Sequence, residues 1–222
     1  MRFSNSLSLV TDYDQTLVKA RLNCGQRAAN SFHALIHYKE TPEHIRTQAM
    51  DMFQKYYPIE QDHKLSKDEK RPHMDEWWQR KFELFITGKF TQKCFQSAFE
   101  HSDMFFRFGI EEFLKSQVPK VVMSAGIADV IHASFGQFER EGTLDIIGNK
   151  FTFGQDGRTD GFLDMITNMN KQQSFYKNQR ARETRDLVLM GDILEDANIA
   201  DDQRHENVLR VGFYNDPVDG MC

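Results

Sequence analysis

The chain has 222 residues, 40% hydrophobic and 12% aromatic, enough for one large domain or for a domain carrying a substantial insertion. A net charge of −5 and a pI near 5.9 argue against a nucleic-acid-binding surface, because phosphate backbones call for clustered Lys and Arg. An acidic chain that acts on an anion must bring positive charge to it locally, from a metal, a lysine or helix amides.

At the amino end, Leu7 to Val10 is too short an apolar stretch for a signal peptide or a membrane span, so a cytoplasmic protein without a membrane partner is expected. The cysteines, Cys24, Cys94 and Cys222, are odd in number and contain no C-x-x-C pair. They read as thiols of a reducing compartment, not as a disulfide framework or zinc cluster. A first strand is predicted from about Ser6 to Val10, ending at Asp12. There Asp12, Asp14 and Thr16 follow one another two apart, so an extended chain aims both carboxylates into one space. Like charges that close raise each other's pKa or hold a cation between them. A solvated turn, which Asp and Thr also favour, is the plainer alternative.

From about residue 26 to 105 the pattern is mostly helical. Thr41 and Pro42 form a helix start, an N-cap followed by proline at the first helical position. Ile45, Ala49, Met52, Phe53 and Tyr56 then make an apolar stripe, Met74, Trp77, Trp78, Phe82 and Phe85 a second, and Cys94, Phe95, Ala98 and Phe99 a third. A helical bundle is thus inserted straight after the first strand.

Beyond it, residues 110–115 read as helix and Val121 to Met123 as a buried strand ending at Ser124. "IADVIHASF" reads as a short helix, "LDII", "KFTF" and "VLRVGF" as strands, and Leu187 to Met190 as a strand ending at Asp192. Apolar runs alternating with helices predict a mostly parallel sheet covered on both faces, which binds ligands beyond its strands' carboxyl ends. Asp12, Ser124 and Asp192 all fall at that edge.

Asp12, Asp14 and Asp192 together make an oxygen-rich cluster suited to Mg²⁺. A metal beside a carboxylate nucleophile suits phosphoryl transfer, and an aspartate can carry the phosphoryl group covalently. Ser124, with the amides of Ala125 and Gly126 opening a helix, is a candidate phosphate cradle or simply a helix cap. Asp196, Asp201 and Asp202 read equally well as acids at a helix N-terminus.

D-x-D-x-T after the first strand, a strand-end Ser, a later Lys and an acidic G-D-x-x-x-D match the four motifs of the haloacid dehalogenase superfamily. More narrowly, "KYYPIE", "HMDEWW", "MSAGIADVI", "MNK", "GDILEDANIAD" and "LRVGFYNDPVD" resemble, in order, the cytosolic 5'-nucleotidase type III family, over roughly residues 8–219. The resemblance implies an α/β fold: a Rossmann-like core from residues 1–20 and 106–222, with a helical cap at 21–105. It implies Mg²⁺-dependent hydrolysis of pyrimidine or 7-methylguanosine monophosphates through an aspartyl phosphate. Asp12 is then the nucleophile and a metal ligand. Asp14 is the general acid and base, its carbonyl on the metal. Thr16 orients the loop, Ser124 and Ala125 hold the phosphate, and Lys171 neutralises it. Asp192 is a metal ligand and Asp196 supports that shell. In the cap, Glu76 would accept hydrogen bonds from the base, although an exposed helix Glu is the plain reading. Trp77 and Trp78 would be shared between cap core and base stacking. An indole face favours a cationic methylated guanine, which tilts the expected substrate towards 7-methylguanosine monophosphate.

Val18 departs from the family's usual serine, and relatives begin earlier and continue past "NDPVD", which bears on edge-strand protection and oligomer contacts. The rival activities are hydrolysis of another phosphomonoester, such as phosphoserine or a sugar phosphate, and a catalytically silent module binding nucleotides or a protein. No nucleic-acid polymer is expected as a partner; a monomer is the simplest state, with protein partners left open.

Overall fold

The computed structural model describes residues 7–62, 64–136, 143–201 and 203–215. Ser6, Asp202, residues 216–219 of the "LRVGFYNDPVD" segment and Cys222 lie outside the described residues.

The sheet is built from the expected apolar runs. Strand β1 (Leu7–Thr11) is central, flanked by β2 (Lys120–Ile127) and β6 (Asp186–Gly191), with β3 (Leu144–Asn149) and β7 (Asn207–Gly212) outermost. All four ladders are parallel. Thr11 lies opposite both Val122 and Met190, so the chain leaves β1, β2 and β6 at one edge of the sheet. The Asp12 N–H still donates to the Met190 carbonyl at 2.9 Å, which carries the ladder one residue beyond β1. "KFTF" forms β4 (Phe151–Phe153), but it pairs antiparallel with β5 (Thr159–Phe162) as a separate hairpin, outside the main sheet.

Between β1 and β2 the chain makes α1 (Ser31–Ile36), α2 (Glu43–Gln61), α3 (Lys67–Thr87), α4 (Gln92–Glu100) and the short α5 (Ile110–Lys115). The start of α2 differs by one residue from the sequence expectation. Pro42 is the N-cap, without a side-chain cap bond, and the Thr41 hydroxyl donates to the Leu35 carbonyl at 2.6 Å. Thr41 therefore closes the preceding turn instead of capping the helix. A reciprocal Ser66–Glu69 capping box fixes where α3 begins and so which of its residues face inward.

The stripes bury as their spacing requires: Ile45, Tyr56, Phe82, Phe85 and Phe95 are at most 1% exposed. Burying each such side chain contributes roughly 1.5–3 kcal/mol relative to exposure. Phe82 and Phe85 also meet Phe151 and Phe162 of the β4–β5 hairpin, so the aromatic core of the helices runs on into the α/β part. On the other sheet face Val10, Val121, Met123, Leu187 and Leu189 pack with Phe175 and Ile199. The remaining helices are α6 (Ala128–Phe135), α7 (Lys171–Phe175) and α8 (Gln179–Glu183). Among the described residues no helix is long and apolar enough to cross a membrane.

Candidate active site

The edge where β1, β2 and β6 end gathers most of the sequence-predicted residues. Asp12, Asp192 and Asp196 each place a carboxylate oxygen within 4.8 Å of the others. The buried amine of Lys171, first residue of α7, donates to Asp12 Oδ1 at 2.7 Å and to Asp196 Oδ1 at 2.6 Å. Thr16 reaches Asp192 Oδ1 at 3.4 Å. Asp196 begins a 3-10 turn, and its Oδ2 accepts from the N–H groups of Asp192 and Ile193. That close approach requires Gly191, where a Cβ would overlap the Asp196 carboxyl group.

Two buried carboxyl groups, Asp12 and Asp196, share one ammonium here with the half-buried Asp192 beside them, and the electrostatics follow. Burial pushes Asp12 up to about 8; Lys171 opposes this, while Asp196 and Asp192 add to it. Burial, then Asp196, pushes Asp192 up to about 6. Burial alone would lower Lys171, but Asp12 and Asp196 outweigh it and hold the amine above its usual range. The donors are all hard oxygen, and their negative charge exceeds what Lys171 offsets, a set that fits a divalent cation such as Mg²⁺.

Asp14 takes a different place from the one its spacing suggested. Its Oδ1 accepts from the Ser31 N–H at 2.8 Å and its Oδ2 from the Ser31 hydroxyl at 2.7 Å, so the side chain faces the start of α1 and Asp196 takes its place in the carboxylate cluster. Burial raises its pKa; the Ser31 bonds, Lys171 and Lys81 work against that rise.

Ser124, Ala125 and Gly126 are not a helix start. They fall where the β2–β3 register shifts, between Met123 and Ile127, and α6 begins only at Ala128. Such an irregularity turns the backbone towards a site. The Gly126 N–H donates to Ser124 Oγ at 2.9 Å and the Ile127 N–H to Ser31 Oγ at 3.2 Å. A Cβ at Gly126 would collide with Ser31 Oγ and stand 2.7 Å from Asp14 Oδ2, so the bulge lies directly against the Asp14–Ser31 pair. Buried Asn149 braces it, donating to the carbonyls of Ala125 (2.7 Å) and Ile166 (2.8 Å), the latter in the segment that leads to Lys171.

Glu76 and Trp77 stand apart from the carboxylate cluster, on α3. Glu76 pairs with Arg80 at 2.7 Å and Lys55 at 3.7 Å, and a Tyr56 hydrogen bond, more than either cation, holds its carboxyl below the usual range. Trp77 is 4% exposed and stacks on Tyr56; Trp78 is also buried and stacks on Phe82. The structure thus puts both indoles in the helical core.

Three residues escaped the sequence reading. Ser31 carries no signal beyond its place at a helix start. Lys81 follows Trp77 and Trp78 at helical spacing, and its amine lies over their rings and that of Phe32. Arg107 donates to the carbonyls of Thr16 and Gln15, each at 2.8 Å, and to Asn215 Oδ1 at 2.6 Å.

Sequence and structure comparisons agree on what this arrangement is similar to. The family described as Pyrimidine 5'-nucleotidase (UMPH-1) matches residues 15–222. A 7-methylguanosine phosphate-specific 5'-nucleotidase of Mus musculus is 30% identical over 224 residues, spanning 96% of this chain and 74% of the relative. The crystal structure of cytosolic 5'-nucleotidase IIIB bound to cytidine superposes with a TM-score of 0.80 at 25% identity, over 94% of this chain and 74% of that one. A hydrolase of the haloacid dehalogenase (HAD) family from Salmonella enterica serovar Typhi, 12% identical, shares the fold at a TM-score of 0.58 over 94% of this chain and 68% of its own.

Proposed function

The chain belongs to the pyrimidine 5'-nucleotidase (UMPH-1) family of HAD-fold hydrolases, and from that premise we propose that it hydrolyses nucleoside 5'-monophosphates through an aspartyl phosphate on Asp12. The observation that carries this reading is the buried Lys171 amine held between Asp12 and Asp196, with Asp192 beside them.

Asp12 attacks phosphorus in line with the leaving nucleoside oxygen, and Lys171 neutralises charge on the phosphoryl group as the bond breaks. Asp14 gives a proton to the leaving oxygen and later takes one from the water that releases phosphate. A carboxyl group raised by burial suits a residue that must carry the proton first and accept it afterwards. The Ser124 hydroxyl and the Ala125 amide hold the phosphoryl oxygens, and Thr16 keeps the loop against Asp192. Mg²⁺ would be held by Asp12, Asp192 and the Asp14 main-chain oxygen, with Asp196 orienting the Asp192 turn. When bound, it supplies Lewis-acid neutralisation of the phosphate charge.

Residues 21–105 act as a cap over the base, with Glu76 accepting from base N–H groups by exchanging its Arg80 and Lys55 contacts. A cytosolic location fits the free thiols Cys24 and Cys94 and the name of the cytidine-bound relative.

The test is phosphate release, with and without Mg²⁺, from cytidine, uridine, guanosine and 7-methylguanosine monophosphates, phosphoserine and a sugar phosphate. Mg²⁺-dependent release from nucleotides is expected. A preference for a non-nucleotide ester, or no release at all, would overturn the reading.

A further inference from the structure

Lys81 is an unusual cation. Its amine lies 4.2 Å from the centre of the Phe32 ring, 4.3 Å from Trp77 and 4.5 Å from Trp78, three rings that are each less than a tenth exposed. Among the described residues it makes no ion pair or hydrogen bond; aromatic faces take the place of a counter-ion. The negative charges that act on it, Glu60 and Asp14, do so through space. Burial, against the pull of those carboxylates, brings it down to about 8, so it still carries its charge at neutral pH.

The cage adjoins the proposed reaction centre. Phe32 directly follows Ser31, which holds Asp14, and the Lys81 charge bears on the Asp14 carboxyl group. A second observation points to a missing occupant: the Trp77 indole N–H is buried without an acceptor. A buried donor left unpaired is costly, and a ligand carbonyl would relieve it. A cation resting on these rings uses the aromatic attraction that a positively charged base would need, and repels that base as well.

We propose that Lys81 is a specificity-determining residue of this site: lodged against Phe32, Trp77 and Trp78, its ammonium excludes the cationic 7-methylguanine ring and selects a neutral, carbonyl-bearing pyrimidine. The inference rests on the nucleotidase reading above and reverses the substrate tilt drawn from the indoles alone. Lys81 contributes through the base, so its signature is a change in relative kcat/KM between substrates, not in the phosphate chemistry they share.

The experiment compares kcat/KM for cytidine and 7-methylguanosine monophosphates with Mg²⁺ present, at slightly acidic pH, in the wild type, Lys81→Met and Lys81→Arg. The wild type is expected to favour cytidine monophosphate. Lys81→Met is expected to shift the ratio towards the methylated purine by about tenfold, the scale of one desolvated cation–π contact. Lys81→Arg, which keeps the charge, keeps the preference. Lys81→Gln is measured in parallel in case the Met variant fails to fold, with the same shift expected. An active wild type whose ratio is unmoved in the neutral variants, or equal losses on both substrates, overturns this inference alone. A wild type silent on both nucleotides overturns the nucleotidase reading itself.

Discussion

Ser31 holds both oxygens of Asp14, its N–H donating to Oδ1 at 2.8 Å and its hydroxyl to Oδ2 at 2.7 Å. These bonds favour the ionised carboxylate and oppose the rise that burial imposes. Ser31→Ala removes the hydroxyl bond and leaves the main-chain one. Turnover is expected to fall by about tenfold with little change in KM, since a hydrogen bond to a charged group is worth roughly 1.5–3 kcal/mol. The limb of the pH–rate profile that reports the ionised base should also move to higher pH. An unmoved profile would show that Asp14 is not the group titrating.

Arg107 ties the catalytic loop to the segment that follows β7. It bonds the carbonyls of Thr16 and Gln15 and the side chain of Asn215, which itself donates to the Gln15 carbonyl at 3.0 Å. Gln15 needs such bracing, because its φ of 64° puts a non-glycine residue in the left-handed region. Arg107→Ala is expected to cost about 1–2 kcal/mol of stability in denaturant unfolding, the partly exposed position discounting the full value. Turnover should fall with it, and Arg107→Lys should restore only part, lacking the planar fork. Full activity in the Ala variant would show that the loop holds its shape unaided.

His33 supplies a pH test that does not involve the carboxylates. Burial, with His37, Lys81 and Arg27 adding to it, lowers this histidine from 6.5 to about 4, where it packs on Phe53. Between those values the unfolded chain takes up a proton that the folded one refuses. The stabilising effect of a neutral His33 is therefore complete above 6.5 and drains away as pH falls towards about 4. His33→Gln should flatten this acid limb of the thermal midpoint. Parallel limbs in wild type and variant would place the acid sensitivity elsewhere.

Metal binding carries the opposite sign. Carboxyl groups raised from 3.8 to about 8 at Asp12 and to about 6 at Asp192 bind protons more tightly folded than unfolded, so the metal-free protein loses stability as pH rises through the window from 3.8 to about 8. Mg²⁺ displaces those protons. The gain in thermal midpoint on adding Mg²⁺ should accordingly be largest near the upper end of the window and shrink as pH falls towards the lower. A gain independent of pH would mean that the ion binds elsewhere.

Much of this geometry was legible in the sequence because it is local. Apolar runs ending at Asp12 and Asp192 marked two strand ends, the run ending at Ser124 marked a bulge inside β2, which continues to Ile127, and parallel register placed all three at one edge. Stripes such as Met74, Trp77, Trp78, Phe82 and Phe85 told which helix faces are buried. What escaped depends on partners distant along the chain: Ser31 acts on Asp14, 17 residues away, and Arg107 on Thr16, 91 away. The helix start expected at Ala125 and Gly126 was misplaced because an apolar run does not show where a strand bulges. Asp14 was expected among the metal-facing carboxylates, since alternation alone cannot tell that Ser31 draws its side chain aside.

The role of Asp12 is tested most directly by Asp12→Asn, assayed for phosphate release from cytidine monophosphate with Mg²⁺ present and checked for an intact thermal transition. A folded variant slowed by about 10⁴-fold or more is expected, because an amide can neither attack phosphorus nor pair with Lys171 as a charge. A folded variant within about tenfold of the wild-type rate would contradict Asp12 as the nucleophile and the chemistry built on it.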